Sequence, residues 1–168
     1  MRSVCLAALL LVETLAMGQG FNERYDAFGL GYQQSATDIV ILEQGYTVFS
    51  VSSDYDSLSP GEWFFHASAL LTHVDIAGNK IWEKRAWRAL HNTVTGWANC
   101  CDTIPGGGYI VGGASEDTTG YDEVYLMRFN AAGDTLWTRV FSGPTEDHYM
   151  IGRQVKRTPD GGFLIVGD

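Results

Sequence analysis

Four histidines, three cysteines and six loop carboxylates are the residues whose types could carry metal or acid–base chemistry in this chain. His66 and His73 flank a stretch of strand-like composition. Seven extended residues at ~3.3 Å each set them roughly 23 Å apart, too far to share one metal ion. His91 and His148 stand alone. Asp54, Asp56, Glu116, Asp117, Asp122 and Glu123 fall after short apolar runs, where loops are expected. Clustered loop carboxylates can bind Ca²⁺, but Asp-x-Asp supplies less than the full ligand set. An acidic loop also serves solubility. A hydrolytic carboxylate pair needs a fixed separation of about 5–10 Å, which no spacing here establishes. Cys100 and Cys101 are adjacent, so they cannot staple distant elements; a bond between them closes a strained eight-membered ring. With no histidine or further cysteine at ligand spacing, they read as buried thiols. Gly-x-Ser-x-Gly and His-Glu-x-x-His are missing from the sequence, and Pro105-Gly-Gly-Gly108 precedes a strand rather than a helix. No catalytic, cofactor-binding or metal-ligating residue is assigned from these patterns, and no cofactor is expected.

Charge and the N-terminus bound the partners. The 168 residues carry a net charge of −9 with no basic stripe, which disfavours nucleic acid and anionic membranes. Arg2, the apolar run 4–12 and Ala16-Met17-Gly18 have the layout of a secretory leader over residues 1–18. The run is under half of the ~20 residues a membrane helix needs, so export rather than membrane insertion is expected. An extracellular protein or glycan is the expected kind of partner.

The elements that must position any site follow from internal repetition, the first thing to seek in such a chain. Asp75-Ile-Ala-Gly78-Asn79-Lys-Ile-Trp82 returns as Asn130-Ala-Ala-Gly133-Asp134-Thr-Leu-Trp137, 55 residues later. Gly45-Tyr46-Thr-Val48 returns as Gly108-Tyr109-Ile-Val111 and Gly162-Phe163-Leu-Ile165, at offsets of 63 and 54 residues. The first motif reads as a hairpin turn, in which Asx bonds its own backbone and Gly takes positive φ. A buried tryptophan is expected on the returning strand. Val124-Tyr-Leu-Met127 is apolar at consecutive positions, so both faces of its strand should be covered. Four strands per repeat are predicted: 45–51, 67–75, 80–86 and 97–104, then 107–114, 122–130, 135–141 and 150–158. The extra residues of the first repeat, 52–61, read as a turn-rich loop. Residues 21–42 match only the closing part of a repeat, and 159–168 the start of another.

Tyr121 to Trp137, with the Gly-aromatic strand and the acidic loop before it, resembles the propeller-type repeats of secreted Bacteroidota proteins, which often carry a C-terminal domain read by the type IX secretion system. Gly112-Gly113 and the Phe129-to-Trp137 spacing also resemble a kelch blade, although Phe49-Ser50 stands where the first repeat should show the double glycine. The resemblance implies an all-β chain of four-stranded antiparallel blades. About two and a half repeats over residues 19–168 make a partial β-propeller, expected to be the N-terminal part of a longer protein. Closed propellers have 4 to 8 blades. The expected role is binding or structural, at the cell surface or outside it. A non-catalytic part of an extracellular propeller hydrolase, or an arc that self-associates through exposed blade faces, are the alternatives.

Overall fold

A computed structural model describes residues 33–59, 62–88, 91–116, 122–143 and 150–168, with the side chains of 54–59 and 62–66 left aside. The leader at residues 1–18 lies outside the described residues. All described secondary structure is strand, in three antiparallel sheets. The first runs in the order β1 (Gln33–Leu42), β2 (Gly45–Ser59), β3 (Glu62–Asp75), β4 (Lys80–Ala86). In the second, β5 (Asn92–Thr95) and β6 (Cys101–Thr103) pair with successive halves of β7 (Tyr109–Glu116), followed by β8 (Asp122–Phe129) and β9 (Thr135–Phe141). The third joins β10 (Gly152–Arg157) to β11 (Phe163–Gly167).

The two repeat turns form as their residue types demand. Asp75 Oδ1 accepts the N–H groups of Ala77 and Asn79 at 2.9 and 2.8 Å, and Asn130 Oδ1 accepts that of Asp134 at 2.8 Å. Gly78 and Gly133 take φ of 86° and 80°, where a Cβ is penalised. Strands β3–β4 and β8–β9 therefore pair in equivalent registers, with His73 opposite Trp82 and Arg128 opposite Trp137.

Alternation along the strands stacks the sheets. Phe49 and Leu71 of the first sheet meet Tyr109, Val111, Tyr125, Met127 and Phe129 of the second in one core. The opposite face of the second sheet puts Ile110 and Leu126 against Val155 of the third. Val124 to Met127 are all buried, as an apolar strand covered on both faces requires. Side-chain carboxylates reach from sheet to sheet. Asp38 accepts the Cys101 N–H at 3.1 Å, and Asp102 that of Arg157 at 3.0 Å.

Three expectations change. The segments predicted as fourth strands, 97–104 and 150–158, do not close the sheet before them. β6 pairs with β7, and β10 with β11. Tight turns at 104–108 and 158–162 tie each to the strand that follows, and a short turn favours antiparallel pairing of the strands it joins. β1, from the segment read as a closing part, likewise opens the first sheet. The repeat divisions 45–104 and 107–158 thus run one strand out of phase with the sheets. Second, the described part of the loop expected over 52–61 is strand: β2 and β3 stay paired out to Ser59 and Glu62. The aromatic run Trp63-Phe64-Phe65 has strong strand preference, and an insertion shared between both arms lengthens a hairpin without shifting its register. Third, Trp82 and Trp137 are half-buried at the seams between sheets rather than sealed inside one.

Candidate functional site

Each seam is built from the same positions, and the first shows how they fit. Trp82 stacks on His73 with ring centroids 5.2 Å apart and planes 22° from parallel. The His73 ring shares a 3.0 Å hydrogen bond with Thr47 Oγ1, which lies 2.9 Å from the Tyr109 hydroxyl across the seam. The β8–β9 turn roofs the tryptophan: a Cβ added at Gly133 would come within 2.6 Å of the Trp82 ring. Lys84 Nζ then reaches Asp134 Oδ1 at 2.9 Å, and this ammonium holds the Asp134 carboxyl below the usual carboxylate range.

The second seam carries Ile110 in place of Thr47, Arg128 in place of His73, Trp137 in place of Trp82, Arg139 in place of Lys84 and Phe163 in place of Tyr109. Trp137 meets Phe163 edge-on at 6.5 Å, and the Arg139 guanidinium lies 5.3 Å over the Trp137 ring. These residues, with Phe141 and Gly161-Gly162, border a cleft of about 410 Å³. The exchange of Thr for Ile and Tyr for Phe removes the hydroxyl that bonds His73 at the first seam and the one that bonds that hydroxyl in turn. Arg128 Nε is accordingly a buried donor with no hydrogen-bond partner among the described residues. Two guanidinium groups beside aromatic walls suit a carboxylate held against an apolar surface.

The residues singled out by type lie elsewhere. Glu116 and Asp122 face each other across β7–β8, and Asp122 is pushed above the usual carboxylate range by burial and then by Glu116. Asn92 donates to Glu116 at 2.9 Å, and Arg88 bridges Glu123 at 3.2 Å and Ser115 at 2.9 Å, so these acids serve packing between strands and sheets. Asp117, His148 and the side chains of Asp54, Asp56 and His66 fall outside the described residues. Among the described residues no three His, Cys, Asp or Glu side chains gather as metal ligands. His91 lies in the bend before β5, apart from His73.

Cys100 and Cys101 are buried free thiols. The Cys101 S–H donates to Asp38 Oδ2 at 3.1 Å. Hydrogen bonding with Cys100, then burial and Asp38, push its pKa far up, whereas the same bond lowers that of Cys100.

Arg128 and Arg139 belong to none of the residue types singled out from the sequence, and they are the repeat partners of His73 and Lys84. The 55-residue offset was the available signal; pairing opposite Trp137 is what gives them a site. No protein-family model, curated protein or solved structure matches this chain.

Proposed function

We propose that the chain is a secreted or cell-surface propeller-type repeat module, with a binding or structural role toward an extracellular protein or glycan. The observation that carries this reading is the face-to-face stacking of consecutive antiparallel sheets, the first of four strands and the second of five, with equivalent residues at the seams on either side of the second. Each of these two sheets, in this reading, is a blade whose inner edge, β1 in the first and β5 with β6 in the second, comes from the tail of the preceding sequence repeat. The leader-like residues 1–18 and the resemblance to repeats of secreted Bacteroidota proteins support export. The acidic surface disfavours nucleic acid as the partner. Recognition then falls to the exposed ends of the sheets, where Trp97 is three-quarters exposed and the Arg153 guanidinium lies 5.4 Å over its ring.

Expression of the full chain in a host with a general secretory pathway tests export: the recovered protein should begin at Gln19. Retention of residues 1–18 on protein left in the cytoplasm would overturn it. An array of extracellular glycans and proteins tests binding, with Trp97→Ala expected to weaken any capture at least tenfold. A second reading, self-association, is favoured by exposed apolar residues on two different surfaces: Ile39 and Ile41 on the first sheet, Leu164 and Val166 on the third.

A further inference from the structure

Cys100, Cys101 and Tyr125 are buried groups capable of chemistry that neither seam uses, and they gather where the edge strands β1 and β6 meet. The pairing of β1 with β2 slips between Ala36 and Asp38, so Thr37 is an extra residue at a bulge. Bulges of this kind re-aim side chains. Thr37 Oγ1 lies 3.7 Å from Cys100 Sγ and 2.7 Å from Thr95 Oγ1 on β5. Asp38, the next residue, accepts both the N–H and the S–H of Cys101 at one oxygen, each at 3.1 Å.

Tyr125 reaches this group from the other side. It stands on β8 opposite Gly113, which in turn faces Thr95. A Cβ on Gly113 would come within 2.8 Å of Tyr125 Cε1 and 2.9 Å of the Thr95 Cα, so the ring runs across the glycine toward β5. Charge on Cys100 is felt at the Tyr125 phenol. The hydroxyl is fully buried and has no hydrogen-bond partner among the described residues. An unpaired buried donor beside two thiols is accounted for when an incoming oxygen atom completes its bonding. Both sulfurs are sealed from solvent, whereas Thr37 and Asp38 beside them are only half-buried. That approach admits a small oxidant and refuses a bulky disulfide.

We propose that Cys100 and Cys101 form a dithiol site oxidised by hydroperoxides, with Asp38 as the proton acceptor and the Tyr125 hydroxyl as the donor to the peroxide oxygen. The Cys100 sulfur, on the Thr37 and Tyr125 side, attacks one peroxide oxygen. The O–O bond breaks, Cys100 becomes a sulfenic acid, and the other oxygen leaves as water with the thiol proton. The Cys101 sulfur then attacks the Cys100 sulfur as its proton passes to Asp38. The S–O bond breaks, and the departing hydroxide takes that proton as a second water. Two thiols and one hydrogen peroxide thus give one disulfide and two waters. The eight-membered ring is strained, so a thiol reductant reopens it readily. The inference stands apart from export, from the propeller reading and from any ligand at the seams.

The reduced full chain is treated with hydrogen peroxide, then unfolded and alkylated. The tryptic peptide 89–128, which holds both cysteines and excludes Cys5, should escape alkylation and be two hydrogens lighter, and dithiothreitol should reverse both. Tyr125→Phe, which keeps the ring in the core, should slow the reaction at least tenfold. Asp38→Asn and Cys101→Ser should each stop at a Cys100 sulfenic acid that dimedone traps; Cys100→Ser should give no adduct on Cys101. Oxidised glutathione should leave the folded pair reduced. A pair that forms the disulfide only once the chain is unfolded in urea would overturn the proposal. So would equal rates in the parent and Tyr125→Phe, dimedone capture on Cys101 rather than Cys100, or oxidation as fast by glutathione disulfide as by peroxide.

Discussion

Among the described residues Tyr125 is the largest fully buried side chain, and its hydroxyl has no hydrogen-bond partner there. Burial drives its phenol well above the usual tyrosine range. A buried hydroxyl left unpaired costs about 1–3 kcal/mol, so Tyr125→Phe should raise stability by about 1 kcal/mol, read from urea midpoints. A loss on that substitution would mean that the hydroxyl has a partner. Two carboxyls give opposite pH signatures. The folded-state pKa of Asp122 is raised by burial and then by Glu116, so its ionisation opposes folding, and the penalty disappears as pH falls below 3.8. Asp122→Asn should raise Tm at pH 7 and leave it unchanged at pH 3. That of Asp134 is lowered by Lys84, so its contribution is present at neutral pH and lost as pH falls through the folded value. Asp134→Asn should lower Tm at pH 7, by a small amount because the pair is exposed, and have no effect at pH 2. Little of this was legible beforehand. The acids of 116–123 stood out by type, but only the register that sets Glu116 against Asp122, and Arg88 against Glu123, turns them from possible ligands into packing groups.

Turns and strands were the readable scale. Asx and Gly at fixed offsets define a hairpin locally, so the turns at 75–79 and 130–134 and the strands beside them follow from sequence. Two features depended on partners rather than on local preference. One is the assignment of 101–103 to the sheet that follows, fixed by the glycine turn after it. The other is the close approach of β5 to β7, where a Cβ on Gly113 would lie 2.0 Å from the Val94 carbonyl oxygen. Phe49-Ser50 can stand at the equivalent positions of the first sheet, because the continuous β1 rather than a divided edge strand runs beside β2. The repeat tryptophans, equivalent in sequence, differ in what covers them. Trp82 is roofed by Gly133, whereas Trp137 borders a cleft. Trp82→Ala should therefore cost about 3 kcal/mol and Trp137→Ala about half as much. Chemical denaturation of the two variants checks the ordering, and equal losses would mean that both seams are closed.

At the scale of the whole molecule, the described residues carry exposed apolar groups on two different surfaces, Ile39 and Ile41 on the first sheet and Leu164 and Val166 on the third. Contact between unlike surfaces is heterologous and extends into a ring or a filament rather than stopping at a symmetric pair. Sedimentation velocity should show association that grows with concentration and passes beyond a dimer. Ile41→Glu alone should return the chain to monomer, since every contact uses that surface once; a monomer at all concentrations would remove the self-association reading. The one-strand phase difference between sequence repeat and sheet has a further consequence, for how such a chain can change length. Loss or duplication of the 54-residue unit between the glycine turns at 104–108 and 158–162 exchanges three strands and an inner edge together, so every sheet that remains still has a complete set. Each seam is crossed by covalent chain inside a unit rather than at its border. A protein of this pattern can be shortened or extended by whole units with no junction left to weak contacts alone, and a pull on its ends must tear a sheet before it can separate adjacent ones.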